Sequence, residues 1–466
     1  MPALDRQDEP ATTATPMATP RAGRLRYLIL AMLFAVTTIN YADRSTLSIA
    51  GDSMQKDLHI SSGELGVLFS AFSWSYLVAQ LPGGWLLDRY GSKKVYGAAI
   101  FLWSLFTMLQ GAIGFFAGAA VVLLFALRFV VGVAEAPSFP GNSRIVAAWF
   151  PTGERGFASA LFNSAQYFAT VAFAPLMGWL VTALGWEHVF TVVGGAGVVL
   201  ALVWTRVIHP PRSHPRMTRA ELDHISAGGA LIDMDAPTAE EDMRAKEATS
   251  GRRNLRHVAA LLRNRTLLGV FVGQYFINTI TWFFLTWFPV YLVQERGMSI
   301  LEAGFVSSLP ALCGFVGGVL GGFLSDRLAR RTSLTAARKI PIVTGLLLST
   351  GIIVCNYVTA SWLVVVIMSL AFFGKGMGAL GWAVMSDVSP QRIAGLAGGL
   401  FNTFGALAGI VTPLVIGYIL DATGSFDLAL AFVSVCAALA VASYLFVVRD
   451  IARVDLPETA YGPASV

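Results

Sequence analysis

Apolar residues along this chain come in runs of about 20, the length an α-helix needs to cross a hydrocarbon core about 30 Å thick, and polar turns separate the runs. Twelve such runs can be marked. They fall at 27–50, 64–87, 94–115, 119–146, 157–180 and 186–207, and then at 265–292, 301–325, 340–359, 362–387, 394–420 and 426–448. The pattern predicts an all-α integral membrane protein with twelve transmembrane helices in two six-helix halves, 27–207 and 265–448. Residues 1–26 are polar and rich in Pro and Thr, and are expected to be a disordered tail. No cleavable signal peptide precedes the first run, which therefore acts as a signal anchor. The tail 449–466 and the linker 208–264 are also polar. Within the linker, HPPRSHPRMTRAELDHI is expected to hold a short amphipathic helix. His209, His214 and His224 fit no compact metal site by spacing and are expected to be solvated.

Composition strengthens this picture. The chain of 466 residues is 55% hydrophobic and 13% charged, with a mean hydropathy of +0.64, which a soluble globular domain does not show. Its net charge of +5 does not point to nucleic acid, because the basic residues follow the turns. They cluster before the first run, at Arg89–Lys94, in 206–265, at Arg327–Lys339, and at Arg449 and Arg453, while the alternate turns offer mainly Lys56 and Arg296. By the positive-inside rule both termini and the linker lie in the cytoplasm. Cys313, Cys355 and Cys436 all lie inside apolar runs and read as small hydrophobes.

Charges within the runs are the candidate chemistry. An ionisable group at the centre of a bilayer costs about 2.5–3.5 kcal/mol even on lenient scales, and it normally faces a bundle interior or a watery path. The first run carries Tyr41, Asp43 and Arg44. In the fourth, Arg128, Glu135 and Asn142 recur every seven residues, nearly on one face of a continuous helix. They read either as working groups or as an ion pair that only locks two helices together. Lys375 lies between two glycines, seven residues before Trp382; it faces a cavity or snorkels to the interface. Tyr76, Gln166, Asn278 and Asn402 are interhelical glue taken singly, but together would suit a polyhydroxylated ligand. Arg44, Arg128 and Lys375 against Asp43 and Glu135 give more bases than titratable acids, which suits an anion carried with protons. A repeat joins the halves: Gly84-Trp-Leu-Leu-Asp88-Arg89 after the second run, Gly322-Phe-Leu-Ser-Asp326-Arg327 after the eighth. Carriers are commonly built from such repeats, with substrate held between them. No nucleophile–base pair or metal cluster emerges, so an enzyme is not expected, and no metal or cofactor is expected beyond the coupling protons.

The segments NYADRSTLSIAG, QLPGGWLLDRYGSKKVY, EAPSFPGNSRIVAAWFP, SAQYFATVAFAPLMGW, INTITWFFLTWFPVYLVQE and FFGKGMGALGW resemble the anion:cation symporters of the major facilitator superfamily. Among these, the sequence is most similar to the bacterial glucarate/galactarate permeases. The resemblance spans nearly the whole chain after the tail. It implies the twelve-helix major facilitator fold, alternating access, and proton-coupled uptake of sugar-acid dianions; a monomer in the bacterial inner membrane is expected, with the oligomeric state left open by the sequence. By motif position it makes Asp43 and Glu135 the protonation sites and Arg44 a carboxylate clamp that Asp43 holds or releases. Arg128 would set the state of Glu135, and Tyr41, Tyr76, Gln166, Trp382 and Asn402 would line the cavity. Asp88, Arg89, Asp326 and Arg327 would gate the cytoplasmic side. Related galactonate carriers have Ser where this chain has Ala379, and an amide at the place of Lys375. Lys375 is therefore expected to take the second carboxylate of an aldarate. A hexonate or aromatic acid is the alternative substrate, and a membrane sensor that binds without transport is the alternative class.

Overall fold

The computed structural model describes residues 24–234, 251–390 and 393–454. Most of the tail 1–26 and the end of 449–466 lie outside the described residues. In hydrocarbon a backbone must satisfy its own N–H and C=O groups, so each apolar run winds into helix. The first half contains α1 (Leu25–Leu58), α2 (Ser62–Tyr90), α3 (Ser92–Gln110), α4 (Ala120–Glu135), α5 (Ser138–Trp149), α6 (Arg155–Leu184) and α7 (Trp186–Val207). The linker contributes α8 (Arg219–Ala227) and α9 (Gly251–Arg263). The second half follows with α10 (Arg265–Trp282), α11 (Phe288–Gln294), α12 (Ile300–Ala329), α13 (Leu334–Ser349), α14 (Ser361–Met377), α15 (Gly381–Val388), α16 (Ala394–Thr423) and α17 (Asp427–Ala442). Taking α4 with α5, α10 with α11, and α14 with α15 gives twelve traverses among the described residues. Ten are long and apolar enough to cross a membrane by length and composition; α2 and α3 fall outside that set, and α3 opens on Ser92-Lys93-Lys94. The first and last described residues, near Leu25 and Val454, lie at the end of the bundle that carries the Arg/Lys clusters, here called the basic end.

Three traverses are not continuous. Between α4 and α5 the helix breaks at Ala136–Pro137, since a proline supplies no N–H to the preceding turn. The seven-residue stripe of Arg128, Glu135 and Asn142 was expected on one unbroken helix and is instead split by this break. All three are nonetheless buried. A second break, at Gly378–Leu380, separates α14 from α15. Lys375 and Trp382 therefore do not share a helix face as their spacing predicted. In α10–α11 the helix widens through a π turn at Phe283–Trp287.

The repeat reaches further than the Gly…Asp-Arg motif. The second traverse of each half starts with the same cap: Ser61 with Glu64 on α2, Ser299 with Glu302 on α12, each pair exchanging side-chain and backbone hydrogen bonds. Two residues past each Glu stands a glycine. Gly66 packs against the Pro413 carbonyl and Gly417 of α16, and Gly304 against the Ala174 carbonyl and Gly178 of α6. The halves thus meet at two symmetric crossings where only a glycine lets the backbones approach. Beside them Gln294 donates to Asp52 Oδ1 (3.0 Å) and Gln55 (2.9 Å), and the Gly63 N–H to Asp421 (2.8 Å).

At the basic end the linker folds back on the first half. The Leu25 and Arg26 amides donate to the buried Glu221 carboxylate of α8 (3.2 and 3.1 Å), and the Arg26 side chain pairs with Glu154 (2.9 Å). The expected short helix is α8. His214 is not solvated: it is buried with its ring edge-on to Trp149 (5.6 Å), and burial pushes its imidazole below the ordinary histidine range.

Candidate functional site

The site is assembled at mid-depth, where helices that are otherwise apolar carry charge. On α1, Asp43 and Arg44 point to different neighbours. Arg44 reaches α4 and pairs with Glu135 (Nη2–Oε2 3.0 Å, Nε–Oε2 3.1 Å). Asp43 Oδ1 accepts a 2.6 Å hydrogen bond from Thr107 of α3. Arg128 donates to the main-chain carbonyls of Asp43 and Arg44, both at 3.4 Å. Asp43 and Glu135 are 1% and 0% exposed, so this cluster sits in a low-dielectric interior where a charge persists only with a partner. The expectation that Arg44 answers to Asp43, and Arg128 to Glu135, is therefore corrected. The ion pair runs from Arg44 to Glu135, and Arg128 braces the α1 backbone beside Asp43.

Arg44 is also enclosed by rings. Its guanidinium lies 4.9 Å from the Tyr41 centroid, 4.6 Å from Phe72 and 5.1 Å from Tyr76, and Phe72 and Tyr76 stack on each other (5.2 Å). Such faces favour a desolvated cation. On the other side of Tyr41 a cavity opens between the halves, lined by polar groups from both: Tyr41, Ser45, Ser48, Gln166, Tyr167 and Thr170 face Thr281, Ser307 and Lys375, with Phe284 and Phe372 among the apolar walls.

Lys375 is 7% exposed. It stands 14 residues into its traverse, about 21 Å of rise, and so does not snorkel to an interface. Its Nζ lies 5.1 Å over the Phe372 ring, and among the described residues no carboxylate forms an ion pair with it. A buried ionisable group that faces a cavity inside a membrane bundle is a candidate functional site.

Of the residues expected at the cavity, Tyr41, Gln166 and Lys375 are on its wall. Arg44 and Tyr76 lie one layer behind, and Arg128 behind that. Asn278 donates along its own helix to the Gln274 carbonyl (3.0 Å), and Asn402 bridges the halves to Gln80 (3.0 Å). Trp382 is 58% exposed and edge-on to Phe401. None of these three lines the cavity. Ser45, Ser48, Ser307 and Thr107 went unremarked in the sequence. Tyr41, Ser45 and Ser48 are four and three apart on one helix face, a signal that was available; Thr107 gave none.

The gating residues make no contact between halves among the described atoms. Arg89 lies over Trp85 (5.5 Å) and Tyr90 (5.6 Å) of its own helix. Asp326 is near Arg338 (3.7 Å), which also pairs with Asp387 (2.9 Å), all within the second half. Arg327 is exposed, and the Asp88 side chain lies outside the described residues.

Comparison with known proteins adds to this geometry. The family profile described as the Major Facilitator Superfamily matches residues 33–413. A probable galactarate/D-glucarate transporter of Bacillus subtilis (strain 168) is 60% identical over 441 residues, covering 94% of this chain and 95% of that protein. A second, from Escherichia coli (strain K12), is 59% identical over 433 residues, covering 92% and 96%. The crystal structure of a D-xylose–proton symporter superposes with a TM-score of 0.70 at 13% identity, covering 91% of this chain and 98% of that one, which speaks for the fold alone. Twelve traverses in two related halves, a polar cavity between them and this similarity together show that the chain belongs to the Major Facilitator Superfamily, a multi-pass membrane transporter and not an enzyme.

Proposed function

We propose that the chain is a proton-coupled symporter that takes up aldarate dianions, D-glucarate and D-galactarate, across the bacterial inner membrane, with both termini cytoplasmic, by alternating access. The observation that carries this reading is Lys375, on the cavity wall and without a carboxylate partner among the described residues. The second cation, Arg44, is held by Glu135 behind Tyr41. A dianion with a carboxylate at each end needs two cations, while its hydroxyls find donors and acceptors in Gln166, Ser45, Ser48, Thr281 and Ser307. The names of the 60% and 59% identical relatives support the same substrate class.

Protonating Glu135 removes the charge that Arg44 satisfies, and the freed guanidinium then attracts the first carboxylate while Lys375 takes the other. Loading neutralises the cavity, so the halves can close over it without burying net charge. Deprotonation on the far side returns Arg44 to Glu135 and weakens the hold on the anion. Protons are the only coupling ion required.

The test is uptake of labelled glucarate into proteoliposomes under an inward proton gradient. Gradient-driven accumulation is expected, blocked by galactarate and only weakly by galactonate. Lys375→Asn should raise the half-saturating glucarate concentration by about tenfold or more, since a charge-assisted hydrogen bond is worth about 1.5–3 kcal/mol, and should narrow the gap between diacid and monoacid. Unchanged affinity in that variant would show that the lysine does not recognise the second carboxylate.

A further inference from the structure

Asp43 and Glu135 are walled off from the substrate cavity. Arg44 lies across Glu135, and Tyr41, Phe72 and Tyr76 enclose Arg44 in turn. The opposite side of the acid cluster is polar. Glu135 Oε1, Ser138 Oγ, Tyr96 Oη and Asn142 Oδ1 are all buried without a well-formed protein hydrogen bond, although the Tyr96 hydroxyl lies within reach of Ser138 and Asn142, and Glu135 of Asp43. They are neighbours: Ser138 is one turn past Glu135, the Tyr96 ring packs on Gly141, and its hydroxyl faces the Ser138 and Asn142 side chains. Asn142 Nδ2 donates to Thr37 (3.1 Å), which leaves its carbonyl oxygen aimed into the same space. Native interiors leave only a few such atoms in 100 residues, and a cluster of them is where bound water belongs.

The polar file continues toward the basic end. Ser92 stands one turn from Tyr96 toward that end and Arg144 two residues past Asn142, and the two are joined at 3.4 Å. Both line a second, smaller cavity with His209, where the linker covers the first half. Everything from Glu135 to this cavity lies within the first half and avoids the surface between halves.

We propose that protons pass between the Glu135–Asp43 pair and the basic end through water held by Ser138, Tyr96 and Asn142, a route separate from the one the anion takes. This rests on the reading of the chain as a proton-coupled symporter. Only O–H bonds change. The Glu135 carboxyl gives its proton to the adjacent water, each water or hydroxyl along the file accepts one proton and releases another, and a proton emerges under the linker. The carboxylate left behind is free to pair with Arg44. The separation gives Tyr96 and Asn142 a positioning role for coupling and none in holding substrate.

The experiment compares wild type, Tyr96→Phe, Asn142→Leu and Asn142→Ser in proteoliposomes by two measurements. One is glucarate counterflow at equal pH, which cycles only the loaded carrier. The other is proton entry on adding glucarate, read with an entrapped pH dye. The Phe and Leu variants are expected to keep counterflow within about twofold but to lose about tenfold or more of coupled proton entry, since a positioned proton transfer contributes 10²–10⁴-fold. Asn142→Ser, which can still hold water, should recover most of it. Unchanged proton entry in both Tyr96→Phe and Asn142→Leu would overturn the route. A fall of counterflow in step with proton entry would also overturn it, because the residues would then serve the fold or the carrier cycle. A wild type that exchanges no aldarate would sink the substrate reading instead, and the dye measurement with whichever anion it does exchange would still decide the route.

Discussion

Glu135 is buried and its charge is paired with Arg44, 91 residues away. Removing one member of a buried pair leaves the other without compensation, a loss of about 3–5 kcal/mol. Glu135→Ala should therefore lower the thermal midpoint of the detergent-solubilised protein well beyond an ordinary surface substitution. The double variant Arg44→Met/Glu135→Leu should regain most of that stability while accumulating no substrate. If both variants melted together, the pair would not be the buried charge compensation described here. That an acid and a base inhabit the membrane was legible from Asp43-Arg44 and from Arg128…Glu135. Their pairing was not. A residue's spacing fixes its angle on its own helix, whereas a partner on another helix depends on how the two helices are rotated and shifted against each other.

At the scale of elements, the two glycine crossings bring the halves into close backbone contact at the end of the bundle away from the basic clusters. Gly66 on α2 and Gly304 on α12 each face a carbonyl and a glycine of the other half, with no room for a Cβ. Gly304→Leu should force α12 away from α6, speed labelling of Ser308→Cys by a membrane-impermeant thiol reagent added from outside, and slow net uptake. Labelling no faster than in the Ser308→Cys parent would show that the crossing does not seal that end. The Gln294–Asp52 hydrogen bond should add to the same seal, so Gln294→Ala is expected to act in the same direction but more weakly. The caps that begin these helices, Ser-x-x-Glu in both halves, could be read directly, since a capping box is local. The break at Pro137 was also written in the residues but was passed over, because apolar composition alone does not tell a bent traverse from a straight one.

For the whole molecule, the polar contacts that join the halves gather at the end opposite the basic clusters, at Asp52, Gln55, Gly63, Gln294 and Asp421, with Asn402 and Gln80 meeting nearer mid-depth. The motif charges Arg89 and Asp326 are engaged within their own halves, Asp326 with Arg338. This is the arrangement of a carrier shut at one end, and the orientation proposed above makes the shut end the outer one. Arg327→Cys is then expected to react with the impermeant reagent in inside-out vesicles and to be protected in right-side-out cells, with Glu64→Cys the reverse. The opposite pattern would invert the topology.

The sequence by itself determined the number of traverses, their division into related halves, the charges that lie inside the membrane and the end that carries the basic clusters. Each of these is a property of neighbours along the chain: run length, repeat and local charge. Only the tertiary structure decided that Arg44 answers to Glu135, that Lys375 faces the cavity while Trp382 and Asn402 lie off it, and that Tyr96, Ser138 and Asn142 meet behind the acids. Those facts depend on how rigid helices from distant parts of the chain settle against one another. That is set by the whole set of side-chain contacts at once, which no single spacing encodes.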